Sequence, residues 1–285
     1  MPLFFMLSGA VLNLKPLKEF DVFCLSKIKR LIIPFFVYGF LFMLPVKFLG
    51  KFYTAASILP AYRAFSVGGE SGHLWFLPAL FWCMIAFVFL RKILLHFNIN
   101  SIGILILIAG LIQLTYKNLP FDFFSLKSGL SYIFYFAAGY SFELVREKFE
   151  SVPKNILVLL FILYTLILYV DYKYSLFGKF ANIFVRSFWL VLLSLVCDIF
   201  LGGVYNSNLF QILNRNLFNI YLFHDPLDYI FLRLFFSNHL CLLKYSGGVC
   251  LYYFSRIFGV IIISVLLGEF VRYFAAKMSF VRNQK

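Results

Sequence analysis

The sequence predicts an all-α, polytopic integral membrane helical bundle that takes up residues 1–285 as a single domain. Three observations predict it. Hydrophobic residues make up 62% of the chain and charged residues only 13%, too few to clothe a soluble domain of this length. Forty Phe and 18 Tyr suit a surface that meets acyl chains and places rings at the lipid interface. Apolar runs long enough to cross a hydrocarbon core of about 30 Å recur along the whole chain.

Those runs fall near 31–49, 73–95, 99–116, 129–146, 153–171, 181–204, 217–236 and 248–274. With a shorter apolar run from Pro2 to Leu14 they make about nine transmembrane segments. The short run has no basic leader and no small-residue cleavage site, so it reads as the second half of a membrane helix rather than a signal peptide. One more helix before Met1 would bring the total to ten. The longest connection, about 48–72, holds Gly68, Gly69 and Gly72 and is expected to form an ordered external loop.

Charge distribution sets the expected orientation. The formal net charge is +14, carried by Lys and Arg in short connections between apolar runs. That pattern points to topology control and anionic headgroups, and gives no reason to expect nucleic acid. The connections 15–30, 91–98, 147–154 and 205–216 with the C-terminal tail carry about 15 basic residues, against about 8 in the alternate set. The first set is expected to face the cytoplasm, with the C-terminus inside and Met1 outside, in a multi-pass protein of the plasma (inner) membrane.

Several chemistries find no support. The five Cys, at 24, 83, 197, 241 and 250, form no CxxC and no cluster with His, which gives neither a metal-site signature nor a disulfide framework. Cys241 and Cys250 flank a short loop close enough in sequence to pair. GxSxG, Walker, HExxH and GxGxxG patterns are missing, so hydrolase, ATPase, metalloprotease and dinucleotide readings gain nothing.

Ionisable groups inside spans are costly and therefore functional candidates: Glu143, Arg186, Asp198, His224, Asp225, Asp228, Arg233, Arg256 and Glu269. For Arg233, Arg256 and Glu269 the competing reading is pairing between helices to hold the bundle. In His224-Asp225-Pro226, proline removes a helical N–H beside a titratable imidazole. Imidazole takes and returns protons near neutral pH, as acyl transfer to a hydroxyl requires. The structural alternative is a His that satisfies the carbonyl Pro226 leaves behind. His73 and Trp75, in the run 72–78, suit either a site at the outer interface or an aromatic anchor. Lys27, Lys29 and Arg30 precede a helix at a headgroup boundary, where they suit lipid contact or a polyanionic donor from the cytoplasm.

Five segments, taken in order, resemble the acyltransferase 3 family of bacterial membrane O-acyltransferases. They are "MPLFFMLSGAVL" (1–12), "LSKIKRLIIPFF" (25–36), "GHLWFLPALF" (72–81), "FYFAAGYSFE" (134–143) and "NIYLFHDPL" (219–227). The resemblance implies about ten spans and transfer of an acyl group, usually acetyl from cytoplasmic acetyl-CoA, to a sugar hydroxyl of a surface polysaccharide or its lipid-linked precursor. It aligns Lys27 and Arg30 with basic positions that engage the CoA donor, Lys standing where the family has a first Arg and losing its bidentate fork. It also expects a first helix with a basic residue and a catalytic His, which this sequence does not contain, and without which little activity is expected. The remaining catalytic candidates are His224 and His73, with Arg186 and Trp75 toward the substrate. No bound cofactor or metal is expected; the partners are the bilayer, the acyl-CoA donor, the glycan acceptor and polysaccharide-assembly machinery. The competing functions are a flippase for a lipid-linked glycan, which would show an inverted repeat, and an inactive scaffold.

Overall fold

A computed structural model describes residues 1–14, 19–49, 54–99, 101–175, 177–238 and 246–282. The described residues are helical throughout, joined by turns and short connections, and the protein is an all-α polytopic membrane bundle. The helices are α1 (Pro2–Asn13), α2 (Phe20–Leu49), α3 (Ile58–Ser66), α4 (Phe76–His96), α5 (Ile102–Thr115) and the short α6 (Leu126–Leu130). They continue with α7 (Ile133–Glu150), α8 (Lys154–Tyr174), α9 (Lys179–Leu201), α10 (Asn208–Asn238) and α11 (Ser246–Arg282).

Five described helices are long and apolar enough to cross a membrane: Phe20–Leu49, Gly72–His96, Lys154–Tyr174, Ile183–Leu201 and Gly247–Tyr273. Pro2–Asn13 and Ile102–Asn118 are apolar but shorter. The remaining expected runs, 129–146 and 217–236, lie in α7 and α10, which carry more charge.

Two expected connections prove largely helical. The run expected to start at residue 31 starts at Phe20, so Lys27, Lys29 and Arg30 ride on α2. The expected connection 205–216 gives way to helix from Asn208. Both segments look polar because of long cationic side chains, which a helix tolerates by projecting the charge away from its apolar stem. Within the expected external loop, Ile58–Ser66 forms α3.

The residues divide into two compact units. The first comprises Met1–Phe35 and Val67–Gly202; the second comprises Phe36–Ser66 and Gly203–Lys285. The helix α2 contributes its first half to one and its second half to the other.

In the first unit, α1 packs most extensively on α7. The approach depends on two glycines. A Cβ at Gly9 would strike the carbonyl of Phe136, and a Cβ at Gly139 would strike that of Met6. Small residues let membrane helices bring their backbones together, where dispersion supplies the adhesion that water supplies elsewhere. Around this crossing Phe5 stacks on Tyr132 (ring centroids 4.6 Å apart), and Phe87 lies 5.0 Å from both Phe136 and Tyr140. These contacts make α1, α4 and α7 run parallel. The helix α9 follows the same direction, with Phe184 against Phe134 and Asp198 against Arg146.

The helix α2 contains two π turns, Ile28–Ile32 and Gly39–Met43. Each ends two residues before a proline, Pro34 and Pro45 respectively. Proline has no N–H to give and its ring crowds the preceding turn, so the helix widens there. In the second π turn, Leu44 N–H donates to the Gly39 carbonyl. The next donor in that register would be Pro45, which has none, and the Tyr62 hydroxyl of α3 donates to the Phe40 carbonyl instead, at 3.1 Å.

In the second unit, α10 and α11 form an antiparallel pair. Arg215 Nη2 donates to Glu269 Oε1 at 2.7 Å, and thirteen residues further along α10 Asp228 binds Arg256, which lies thirteen residues back along α11. Asn216, fully buried, adds bonds to Glu269 at 2.9 Å and to Arg272. The aromatic contacts of Phe223 with Tyr38 and Phe42 fix α10 against the second half of α2.

Replacing Gly139 by Val is expected to lower the thermal midpoint of the detergent-purified protein, because overpacking costs about 1–3 kcal/mol. Gly103→Ala is the control, since its Cβ would meet only Ser101 Oγ at 3.7 Å. A midpoint shift in the control equal to that of Gly139→Val would remove the steric account of this crossing.

Candidate functional site

The candidate residues of the first unit sort toward its two ends. The Gly72–Trp75 turn leads directly into α4, with Gly72 at φ +50°, a left-handed conformation that glycine adopts without strain. His73 and Trp75 therefore sit at the start of α4, both half-buried. Trp75 packs at 6.3 Å from Tyr132, whose ring in turn stacks on Phe5. The "LWF" and "LFF" segments noted in the sequence thus dock on each other through Phe5, Phe76 and Tyr132.

Arg186 belongs to the same end. It stands near the start of α9 and lines two cavities. One, of about 430 Å³, is bounded by the first residues of α1 together with Leu168, Asp171, Tyr172 and Trp189. Asp171 is buried, and its Oδ1 accepts the Phe177 N–H at 2.9 Å, closing the turn from α8 toward α9. The other, of about 370 Å³, is bounded by the end of α5, the start of α7 and the start of α9, with Gln113, Tyr116, Lys117, Ser131 and Tyr135 on its wall. Gln113 and Lys117 were missed as candidates, because a lone Gln in an apolar run and a Lys just beyond it carry no motif.

Lys27 and Arg30 lie toward the opposite end. Phe20, where α2 begins, is 6.1 Å from Phe89 near the end of α4, and Lys92 of α4 lies over the Phe20 ring at 5.7 Å. Lys27 and Arg30 follow about 10–15 Å further along α2. Lys27 Nζ lies over the ring of Phe23 at 5.0 Å, and Arg30 is exposed within the first π turn. That turn packs on α4. Lys27, Lys29 and Arg30 are therefore grouped with Arg91 and Lys92 in one strongly cationic region, which suits a polyanion. The 21 residues of α4 separate this region from His73 by about 30 Å, the thickness of a hydrocarbon core.

His224 belongs to the second unit and His73 to the first. Sixteen residues of α10 precede His224 and fourteen follow, so it sits near the middle of the helix. Its Nδ1 is 2.7 Å from the Tyr221 carbonyl. A carbonyl can only accept, so Nδ1 carries the proton, and in the neutral imidazole Nε2 keeps the basic lone pair. The acceptor is not the carbonyl that Pro226 would have served, which is that of Leu222, four residues earlier. The Tyr221 bond orients the ring, as a base requires.

Most of the other intramembrane charges hold helices together. Arg146 bridges Asp198 at 2.8 Å and Glu143 at 3.6 Å. Arg256 binds Asp228 in bidentate fashion, both bonds 2.9 Å, and its Nη1 lies 3.5 Å from the Tyr252 hydroxyl. The expectation of an Asp228–Arg233 pair falls on a side chain outside those described, as do His239 and Cys241. Cys250 carries a free thiol.

A family model for an acyltransferase domain, acyltransferase 3, matches residues 1–269. No curated protein and no solved structure matches the chain.

Breaking the bidentate pair with Arg256→Met is expected to destabilise the protein by about 2 kcal/mol, since it strands a carboxylate. The double change Arg256→Met with Asp228→Leu is expected to recover most of that loss. Thermal melts in one detergent check the order; a double variant worse than the single would contradict a purely structural pair.

Proposed function

The chain belongs to the acyltransferase 3 family, and on that premise we propose that it moves acetyl from cytoplasmic acetyl-CoA to a sugar hydroxyl of a cell-surface polysaccharide or its lipid-linked precursor. It is a membrane acyltransferase; donor and acceptor are inferred from the chemistry of its two ends. The observation that carries the reading is the cationic region formed by Lys27, Lys29, Arg30, Arg91 and Lys92, about one membrane thickness from His73. The diphosphate and phosphate of CoA match that charge. By the positive-inside rule this end faces the cytoplasm, in the plasma membrane, with the C-terminus on the same side.

Acyl transfer to a hydroxyl needs three things: a base for the leaving proton, stabilisation of the tetrahedral oxyanion, and a held acceptor. His224 supplies the base. With Nδ1–H committed to the Tyr221 carbonyl, Nε2 takes the proton of the sugar hydroxyl as its oxygen attacks the thioester carbon. A C–O bond forms, the C–S bond breaks, and the proton passes to the departing thiolate, releasing CoA as the thiol. His73, Trp75 and Arg186, at the other end of the first unit, position the glycan. Sugar rings stack on indole faces, and a guanidinium grips hydroxyls and oxyanions through its planar fork. The acetylated glycan then passes to polysaccharide-assembly machinery.

His224→Ala in the full-length protein is expected to abolish acetylation of the surface glycan while leaving its export normal. Lost export would favour a flippase instead, and unchanged acetylation would remove His224 from the chemistry. Lys27→Gln and Arg30→Gln are each expected to raise the KM for acetyl-CoA about tenfold, one lost charge-assisted contact being worth about 1.4 kcal/mol, with kcat largely kept. An unchanged KM in both would detach the donor from the cationic region.

A further inference from the structure

The cavity of about 370 Å³ between the end of α5 and the starts of α7 and α9 has a wall rich in hydrogen-bond donors. Lys117 and Arg186 both line it, and no acidic side chain does. Among the described residues, neither cation forms an ion pair with a carboxylate. Gln113 is buried, and its Oε1 is already taken by the Phe134 N–H at 3.0 Å, so only its NH2 group remains, which can only donate. Tyr116 and Tyr135 add two hydroxyls. Ser131 Oγ spends its proton on the Ser128 carbonyl at 2.7 Å and keeps lone pairs for a hydroxyl.

Two cations near a membrane surface carry a standing cost unless an anion neutralises them. The Arg fork and the Lys ammonium are the usual pair for a phosphate, one directional and the other a point charge. The volume lies at the small end of ligand pockets, enough for a phosphate and an adjoining sugar ring. The helix termini that form the cavity lie at the His73 end of the first unit, away from the cationic region around Lys27.

We infer that this cavity binds the phosphate of a membrane-borne lipid between Lys117 and Arg186, and that in the working enzyme the phosphate is the one linking the acceptor glycan to its lipid. The first half of the statement rests on the cavity alone; the second rests on the proposed function. Arg186 then holds the acceptor's lipid end, and Lys117, which the sequence did not suggest, is its partner.

Native mass spectrometry of the full-length protein in a zwitterionic detergent tests this, with no acyl donor present. The probes are geranyl phosphate, geraniol and short-chain phosphatidylglycerol. Geranyl phosphate is expected to bind and geraniol not to. Arg186→Gln and Lys117→Gln are each expected to weaken binding at least tenfold, while Arg186→Lys and Lys117→Arg keep most of it. Preference for geranyl phosphate over phosphatidylglycerol supports the acceptor as the source. Equal binding of the two, equally sensitive to both cations, supports the phosphate site but overturns its assignment to the acceptor. Binding that ignores both substitutions in protein that elutes as a single folded species overturns the site. Because no donor is used, that failure is distinguishable from failure of acyl transfer, which is read separately as glycan acetylation.

Discussion

A backbone N–H or carbonyl without a partner costs several kcal/mol in hydrocarbon, and that penalty governs where this chain departs from regular helix. The departures cluster at prolines. Pro34 and Pro45 each follow a π turn, and the Phe40 carbonyl, which Pro45 cannot serve, is taken by the hydroxyl of Tyr62. Pro226 lies beside His224, whose imidazole holds a neighbouring carbonyl. The same penalty explains why the two residues most open to functional use are found at such points. A widened turn re-aims Lys29 and Arg30, and a carbonyl bond fixes the His224 tautomer.

Once the helices are formed, lipid gives them little reason to adhere. Adhesion comes from close backbone approach at Gly9 and Gly139 in the first unit and from charge pairing in the second. The difference is chemical. The α1–α7 contact has aromatic rings on either side and no charge, so it relies on shape. The α10–α11 contact carries Arg215, Asn216, Asp228, Arg256 and Glu269, whose charges would be intolerable singly and are stabilising together. Arg186 and Lys117 stand apart from this pattern, being cations at a cavity with no carboxylate partner among the described residues.

Much of the fold was legible in the sequence because apolar run length is nearly sufficient to locate a membrane helix. The runs around 73–95, 153–171, 181–204 and 248–274 all became helices with close boundaries. The starts of α2 and α10 were not legible. Hydropathy reads Lys27, Lys29, Arg30 and Arg215 as connection, whereas a helix carries them by snorkelling or by pairing across, as Arg215 does with Glu269. The candidate site was legible only in part. Motif order pointed to the family and to Lys27, Arg30, His73, Trp75 and His224, because each sits in a short conspicuous pattern. Lys117 and Gln113 meet Arg186 only in three dimensions, nearly seventy residues apart along the chain.

The central claim is that the acyl donor docks at the cationic end of the first unit, with the acceptor at the other. Photocrosslinking with a photoreactive CoA analogue, followed by peptide mapping of the full-length protein, tests it most directly. The account predicts adducts in the peptides covering residues 20–30 and 89–96, suppressed by excess CoA. Adducts concentrated in residues 113–135 and 183–190 instead, suppressed by the same competitor, would contradict it.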